Sequence, residues 1–223
     1  MSASTGKLSA AGMPLPRNIT LVLASASPRR AELLEQAGYE FIVRPSRHRE
    51  LCKKPQSIPV EVWPVCVAMA KALAVPQSRH RHEIILAADT IVVVDGCILN
   101  KAHHRGQARA MLSVLMGRTH RVMTGLVLLA AGTQRMACAT TVCRMKKASS
   151  DWLEKYLDSG QWRGKAGAYG IQDPAVEAHR LVQVLSGEWH NVMGLPLELL
   201  RQELATLLAN RDECSVPSTI ELD

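Results

Sequence analysis

The sequence predicts an α/β fold built on a mixed β-sheet, because strand-type and helix-type segments alternate along the chain. An apolar run at residues 21–24 leads directly into a helix-type segment, which is typical of a parallel βα unit. Asp95-Gly96 and Ala131-Gly132-Thr133 are typical of tight turns, so hairpins are expected in the middle of the chain. A sheet that combines both kinds of connection is mixed rather than purely parallel.

The individual elements follow from hydrophobic periodicity and from the turn residues between them. Six segments are expected as strands: residues 19–25, 39–44, 83–95, 118–131, 137–146 and 181–185. Five segments are expected as helices: residues 29–37, 60–75, 107–115, 150–157 and 195–209. The last helix has the clearest 3.6-residue period, because its leucines recur along one helical face.

One compact domain is expected over residues 18–210, since no internal repeat and no linker-type composition divides this part of the chain. Residues 1–17 are mostly small and polar and are predicted to form a disordered leader. Residues 211–223 are predicted to form a polar tail.

The composition narrows the possible function classes. A net charge of +7 suits an anionic partner such as a polyphosphate or a nucleic acid. Nucleic-acid binding is nevertheless not favoured, because aromatic residues make up only 4% and are not interleaved with basic runs. The cysteines show no zinc-ligand spacing, and the sequence has neither a membrane-length apolar run nor a secretory signal. A cytoplasmic protein with free thiols and no membrane association is predicted.

A turn rich in hydroxyls and arginines follows the first strand. Ser25 and Ser27 interrupt the apolar run, Pro28 suits the first turn of a helix, and Arg29 and Arg30 follow. Ser27 is therefore the expected N-cap. Backbone N–H groups, hydroxyls and guanidiniums at a helix N-terminus favour an anion such as phosphate. The alternative is an ordinary βα turn with two solvated arginines.

One acidic residue, Asp89, stands inside an otherwise apolar segment at residues 84–94. Burying an unpaired carboxylate is costly, so such a residue pairs, binds a metal ion or lies at an opening into a cleft. Thr90 adds a hydroxyl beside it, and Lys101 follows the hairpin closely enough to reach back. The alternative is a carboxylate that only satisfies backbone N–H groups.

A glycine-rich segment at residues 165–173 contains Lys165, Tyr169 and Gln172. Glycine permits close approach of the backbone to a ligand, and the amide of Gln172 has the donor and acceptor needed to recognise a base edge. A plain surface loop explains the same residues. Residues 117–120 and 191–197 are weaker signals, which turn and helix-start geometry also explain.

Taken together and in this order, these segments resemble the Maf family of nucleotide pyrophosphatases. The matching pieces are SASPRR (25–30), AADT (87–90), NK (100–101), GRTH (117–120), KAGAYGIQ (165–172) and NVMGLPL (191–197). The resemblance covers residues 19–208, and several motifs in order are far more specific than any one of them. It implies an α/β fold of the Maf/ITPase-like kind, with an elongated mixed β-sheet flanked by helices and two lobes around a cleft.

The resemblance also implies a function. It implies a hydrolase that converts dTTP and UTP, and modified pyrimidine nucleotides, to the monophosphate and pyrophosphate, with Mg²⁺ or Mn²⁺ as cofactor and a homodimer as the assembly. Asp89 falls at the catalytic acid/base position, and Glu50 and Asp89 are the candidate metal ligands. The implied substrate-binding and specificity residues are Ser25, Arg29, Arg30, Lys71, Thr90, Lys101 and Gln172.

The chain departs from the family pattern at several positions. Arg47 and Arg49 stand where acids usually precede the cleft glutamate, which predicts weaker metal affinity or an altered catalytic arrangement. The glycine usual after the glutamine is Asp173, and the other departures are Ala102 and Arg121. The two arginines motivate a second hypothesis, a Maf-derived protein that binds a nucleotide with little or no turnover. A third hypothesis, a nucleic-acid-associated protein, rests only on the net charge.

Overall fold

The structure, a computed structural model, describes residues 13–48, 54–76 and 82–213. These residues form a seven-stranded mixed sheet flanked by helices, which confirms the predicted α/β class. The strands are β1 (Thr20–Leu23), β2 (Phe41–Val43), β3 (Glu83–Val94), β4 (Cys97–Leu99), β5 (Thr119–Ala130), β6 (Thr133–Met145) and β7 (Val182–Ser186). The helices are α1 (Pro28–Gln36), α2 (Trp63–Leu73), α3 (Arg105–Leu115), α4 (Ser150–Asp158), α5 (Pro174–Ala178), α6 (Trp189–Met193) and α7 (Leu197–Glu213).

β1 is the central strand of the parallel part of the sheet, where the strand order reverses from β2-β1 to β1-β3. It pairs in parallel with β2 on one edge and with β3 on the other, and α1 leads out of its carboxyl end. The other pairings, of β3 with β4 and β5 and of β6 with β5 and β7, are antiparallel. In open α/β sheets, ligands bind beyond the carboxyl ends of the strands at the place where the strand order reverses. The end of β1 is therefore where a binding site is expected.

Both predicted hairpins are present. In the turn between β3 and β4, Asp95 and Gly96 have φ angles of 48° and 75°, the left-handed pair that a two-residue hairpin turn requires. Gly132, with φ of 77°, lies in the turn from β5 to β6. β6 begins earlier than the predicted residue 137, because its pairing with β5 continues back to Thr133 at the turn.

The apolar core lies in clusters on both faces of the sheet. Leu23 of β1, Leu34 of α1 and Leu204 of α7 are fully buried in one cluster. α2 covers the opposite face, over Ile85. Another cluster, which includes Leu112 of α3, fills the space between α3, α4 and the end of β3 next to the hairpin turn. A cleft is lined by residues beside both the cluster around α1 and the cluster around α3 and α4.

Several elements differ from the sequence expectation at their ends. The five-residue helices α5 and α6 were not predicted, because helices of that length are too short for a periodic apolar pattern. α7 continues into the predicted tail, and Met13 and Leu15 of the predicted leader pack against the core. Residues 1–12 and 214–223 lie outside the described residues. Within the described ranges, none of the helices has both the length and the apolar character needed to cross a bilayer.

Candidate functional site

The candidate site lies at a gap along one edge of β3. β5 pairs with β3 along one edge, whereas the other edge pairs with β1 up to Leu86 and with β4 from Val92 onwards. Among the described residues, the intervening residues 87–91 therefore have no strand partner on that edge. A cleft of about 470 Å³ opens there, and both Asp89 and Thr90 lie in its wall.

Asp89 and Thr90 point to opposite faces of the sheet, because side chains alternate along a strand. Asp89 lies on the face covered by α2, where Lys71 Nζ donates to its Oδ1 at 2.6 Å. Only 12% of the Lys71 side chain and 15% of the Asp89 side chain are exposed. The structure thus places Asp89 in an ion pair at the edge of a cleft, with a carboxylate oxygen within reach of a ligand.

α2 reaches this pair because Gly125 lets it approach the sheet closely. Gly125 is the cross-strand neighbour of Asp89. A Cβ at Gly125 would lie 2.2 Å from the carbonyl carbon of Pro64, in the first turn of α2. The helix backbone therefore rests directly on β5, and its last turn carries Lys71.

On the other face, Thr90 belongs to a hydrogen-bonded group centred on Arg30. Arg30 is only 9% exposed and donates to Gly194 O at 2.8 Å, to Ser25 Oγ at 3.2 Å and to Thr90 Oγ1 at 3.2 Å. Thr124 Oγ1 lies 3.0 Å from the Thr90 hydroxyl. Arg30 therefore ties α1 to the end of β1, to β3 and to the end of α6, as a buried part of the cleft wall.

The predicted anion-binding turn forms the adjoining part of the wall. α1 begins at Pro28 with Ser27 as N-cap, as predicted, although the Ser27 side chain makes no capping hydrogen bond. The Ser27 N–H donates to Ser25 Oγ at 3.2 Å. Arg29 Nη2 donates to Gly164 O at 3.1 Å, in another segment of the wall. The helix N-terminus, which carries the positive end of the helix dipole, opens into the cleft.

Residues 163–172 form a further part of the wall. Lys101, two residues after the end of β4, joins this segment through an antiparallel bridge to Ala166, and both residues line the cleft. Lys165 also lines the cleft and pairs with Asp173. Gln172 lies in the wall as well, and its amide has no hydrogen-bond partner among the described residues. An amide in this position is available to a ligand.

Tyr169 is supported from behind by the histidine of the Gly-Arg-Thr-His motif. Its ring lines the cleft, and its hydroxyl lies 2.7 Å from Nε2 of His120, which is 2% exposed. Burial lowers the pKa of His120 from 6.5 to about 4. The imidazole is therefore neutral near pH 7 and can accept a hydrogen bond from the tyrosine. His120 thus supports the cleft wall.

Positive charge dominates the described part of the cleft. Its cationic lining residues are Arg29, Arg30, Lys71, Lys101, Arg163 and Lys165. Asp89 is the one carboxylate among the described lining residues. Asp89 compensates Lys71, and Asp173 compensates Lys165 from behind the wall. The described lining therefore contains more cationic than anionic side chains, which suits a polyanionic ligand.

Sequence reasoning missed several of these wall residues as binding residues. Lys165 and Tyr169 lie in the glycine-rich motif, which was the available signal for both. Arg163 belongs to no recognised motif, and His48 lies between the departures Arg47 and Arg49 but was not singled out; both line the cleft. Arg163 lies with its guanidinium carbon 5.2 Å from the ring centre of Trp162, an arrangement that steadies a flexible side chain.

The predicted metal ligands are only partly within the structure. Glu50 and Arg49 lie outside the described residues. Arg47 is exposed, and Asp89 is the predicted ligand that the structure places in the cleft. Within the described ranges, no three or more His, Cys, Asp or Glu side chains are grouped so as to hold a metal ion.

Comparison with known proteins gives consistent matches over most of the chain. The family model for Maf-like protein matches residues 20–207. A dTTP/UTP pyrophosphatase from Symbiobacterium thermophilum is 40% identical over 184 residues, which cover 82% of this chain and 92% of the relative. One from Phocaeicola vulgatus is 38% identical over 187 residues, covering 84% and 95%. Another, from Rhodopirellula baltica, is 35% identical over 215 residues, covering 95% and 92%.

Proposed function

The chain belongs to the Maf-like protein family, and on that premise we propose that it is a nucleoside triphosphate pyrophosphatase. Its proposed substrates are dTTP and UTP, and its products the monophosphate and pyrophosphate. The dTTP/UTP pyrophosphatases that match this chain over nearly their whole length support the reaction. The observation that carries the proposal is the Lys71–Asp89 pair, which stands at the edge of a cleft rich in positive charge.

Asp89 is the proposed general base. Attack on the α-phosphorus requires a water molecule that is held in line and loses its proton as the bond forms. The Asp89 carboxylate lies in the cleft wall and is oriented by Lys71 at 2.6 Å, so its outward oxygen can hold such a water. Lys71 also places a positive charge where negative charge develops on the phosphoryl oxygens.

The other cations are proposed to bind the triphosphate. Arg29, Lys101 and Arg163 line the cleft from three different segments, so they can neutralise several phosphate oxygens at once. Neutralisation stabilises the transition state and makes pyrophosphate an acceptable leaving group. Arg30 is proposed to act mainly by holding Ser25 and the start of α1 in place, since its guanidinium already donates to three protein oxygens.

Gln172 and Thr90 are proposed to set the choice of base. The Gln172 amide faces the cleft and can pair with the edge of a uracil or thymine ring. The Thr90 hydroxyl lies within hydrogen-bond distance of both Arg30 and Thr124. We therefore assign Thr90 an indirect part, through the orientation of Arg30.

A divalent cation is proposed to enter with the nucleotide. Mg²⁺ typically binds through one or two carboxylates together with substrate phosphates, so it does not require a cage of three protein ligands. Asp89 fits that pattern as one carboxylate, and Glu50 is proposed as the second. When bound, the cation would neutralise part of the charge on the triphosphate.

We also propose that the protein is a homodimer in the cytoplasm. The family resemblance supports the dimer, and the free cysteines of the described part, among them Cys66 and Cys143, suit a reducing compartment. Light scattering at assay concentration tests the assembly. A monomeric, fully active protein would contradict the dimer.

Pyrophosphate release from UTP, dTTP, CTP and GTP with Mg²⁺ or Mn²⁺ tests the reaction. We expect release from UTP and dTTP, and its loss in Asp89→Asn, which removes the base while keeping the size of the side chain. Asp95→Asn is the matched control, because Asp95 lies exposed in the hairpin turn, where asparagine also tolerates a positive φ. No release by wild-type protein that still binds nucleotide would refute the enzyme and favour the binding protein.

A further inference from the structure

A buried carboxylate, that of Asp173, lies behind the cleft wall and accepts hydrogen bonds from three donors. Its Oδ2 accepts hydrogen bonds from Tyr156 Oη at 2.6 Å and from Gly170 N at 2.9 Å. Its Oδ1 accepts one from Lys165 Nζ. Asp173 is only 7% exposed, and a carboxylate at that depth is costly unless it is partnered in this way.

Asp173 closes the turn that carries Gln172. Its N–H donates to Gly170 O at 3.1 Å, while its carboxylate accepts the Gly170 N–H, so the turn is held at both ends. A Cβ at Gly170 would lie 2.5 Å from Asp173 Oδ1, so the carboxylate packs directly against the backbone. Ile171 and Gln172, the residues inside the turn, both line the cleft.

The other two partners anchor the turn to the rest of the molecule. Tyr156, in α4, is 1% exposed and stacks on Trp152 with ring centres 5.0 Å apart. Burial, and then the Asp173 carboxylate, raise the pKa of Tyr156, so its hydroxyl remains a donor. Lys165 lies at the other end of the same wall segment and lines the cleft.

We propose that Asp173 is a positioning residue for nucleotide selection, which holds the backbone of the turn that carries Gln172, and the Lys165 ammonium, at fixed places in the cleft wall. The inference rests on the proposed function, because it takes Gln172 as the group that contacts the base. Uracil carries a carbonyl where cytosine carries an amino group. A turn held at both ends keeps the Gln172 side chain at one distance from that position, where its amide donor can pair with the uracil carbonyl, whereas a loosened turn lets the side chain shift and accommodate either base. Discrimination between UTP and CTP therefore depends on how firmly the turn is held.

Equilibrium binding of the non-hydrolysable α,β-imido analogues of UTP and CTP tests this directly, by calorimetry on the full chain. Asp173→Ala removes the acceptor of all three hydrogen bonds and should reduce the preference for the uridine analogue by roughly tenfold or more. Asp173→Asn retains an acceptor oxygen for Gly170 and should keep more of the preference. Asp158→Asn is the matched control, because its carboxylate lies on the exposed side of α4, and it should leave the preference unchanged.

A purely structural role for Asp173 would lower the melting temperature and leave the ratio of the two affinities unchanged, and that result would overturn the proposal. If Asp173→Ala does not fold, Tyr156→Phe removes one of the three donors and should reduce the ratio in part; an unchanged ratio would overturn the proposal. Equal binding of both analogues by the wild-type protein would overturn it as well. Selective binding without pyrophosphate release from UTP would instead refute the proposed reaction and leave the base contact of Gln172, and with it this inference, intact.

Discussion

Replacing Gly125 with alanine should push α2 off the sheet and separate the Lys71–Asp89 pair. The added Cβ would lie 2.2 Å from the carbonyl carbon of Pro64 and 2.3 Å from the nitrogen of Val65. Both are backbone atoms, so no side-chain rotation relieves the contact. Ordinary van der Waals contact begins at 3.4 Å, so α2 has to move outward by roughly 1 Å.

The size of the effect follows from this displacement. Overpacking of this kind lowers the free energy of unfolding by about 1–3 kcal/mol. In a chain of this length the Tm should fall by roughly 2–12 °C. The kcat for UTP should fall by roughly 10- to 100-fold, because α2 carries Lys71 and an error of about 1 Å in a reacting group is costly. The KM should change little, since the turn at the start of α1, which is proposed to bind phosphate, lies on a different element.

Thermal unfolding followed by circular dichroism, and pyrophosphate release at saturating UTP, measure the two effects. Gly106→Ala is the matched control, because a Cβ in this helical position meets a side chain, the imidazole of the N-cap His104, at 3.3 Å and meets no backbone atom of another element. This control should keep both its stability and its turnover. A Gly125→Ala protein with the stability and turnover of the wild type would refute the conclusion that α2 rests directly on β5.

Three further outcomes are expected. Arg30→Lys should lower the free energy of unfolding by about 2–3 kcal/mol, because one ammonium cannot reach all three oxygens that the guanidinium contacts; an unchanged urea midpoint would contradict this. His120 binds a proton near pH 6.5 in the unfolded chain and only near pH 4 in the folded protein. The free energy of unfolding should therefore decrease as the pH is lowered from 6.5 to 4, by about 1.4 kcal/mol per pH unit, and this contribution should be fully present above pH 6.5. His120→Phe should lack this part of the pH dependence in urea titrations, and identical profiles would count against it. EDTA should abolish pyrophosphate release and Mg²⁺ or Mn²⁺ restore it, whereas full activity in chelator would remove the metal from the mechanism.

Sequence analysis predicted which residues belong to the candidate site, but it predicted only part of how their side chains are arranged in space. Asp89 stood out because a carboxylate inside an apolar strand needs a partner or an opening. Its neighbour Thr90 was assigned to the same site, yet alternation along β3 places its hydroxyl on the opposite face, beside Arg30. The side chains of Arg29 and Arg30, which are adjacent in sequence, also have different surroundings. Arg30 is buried in the cleft wall, whereas Arg29 donates a hydrogen bond to the carbonyl of Gly164.

What the sequence determined by itself is local. The apolar periods, the Asp95-Gly96 turn and the proline at the start of α1 predict elements and their order, because these preferences act within a few residues of the chain. The partners of the site residues were decided by the tertiary structure. Lys71 contacts Asp89 because Gly125 allows α2 to pack closely against the sheet. Asp173 accepts a hydrogen bond from Tyr156 because α4 packs behind residues 165–173. Contacts between distant segments depend on how whole elements pack, and no local pattern contains that information.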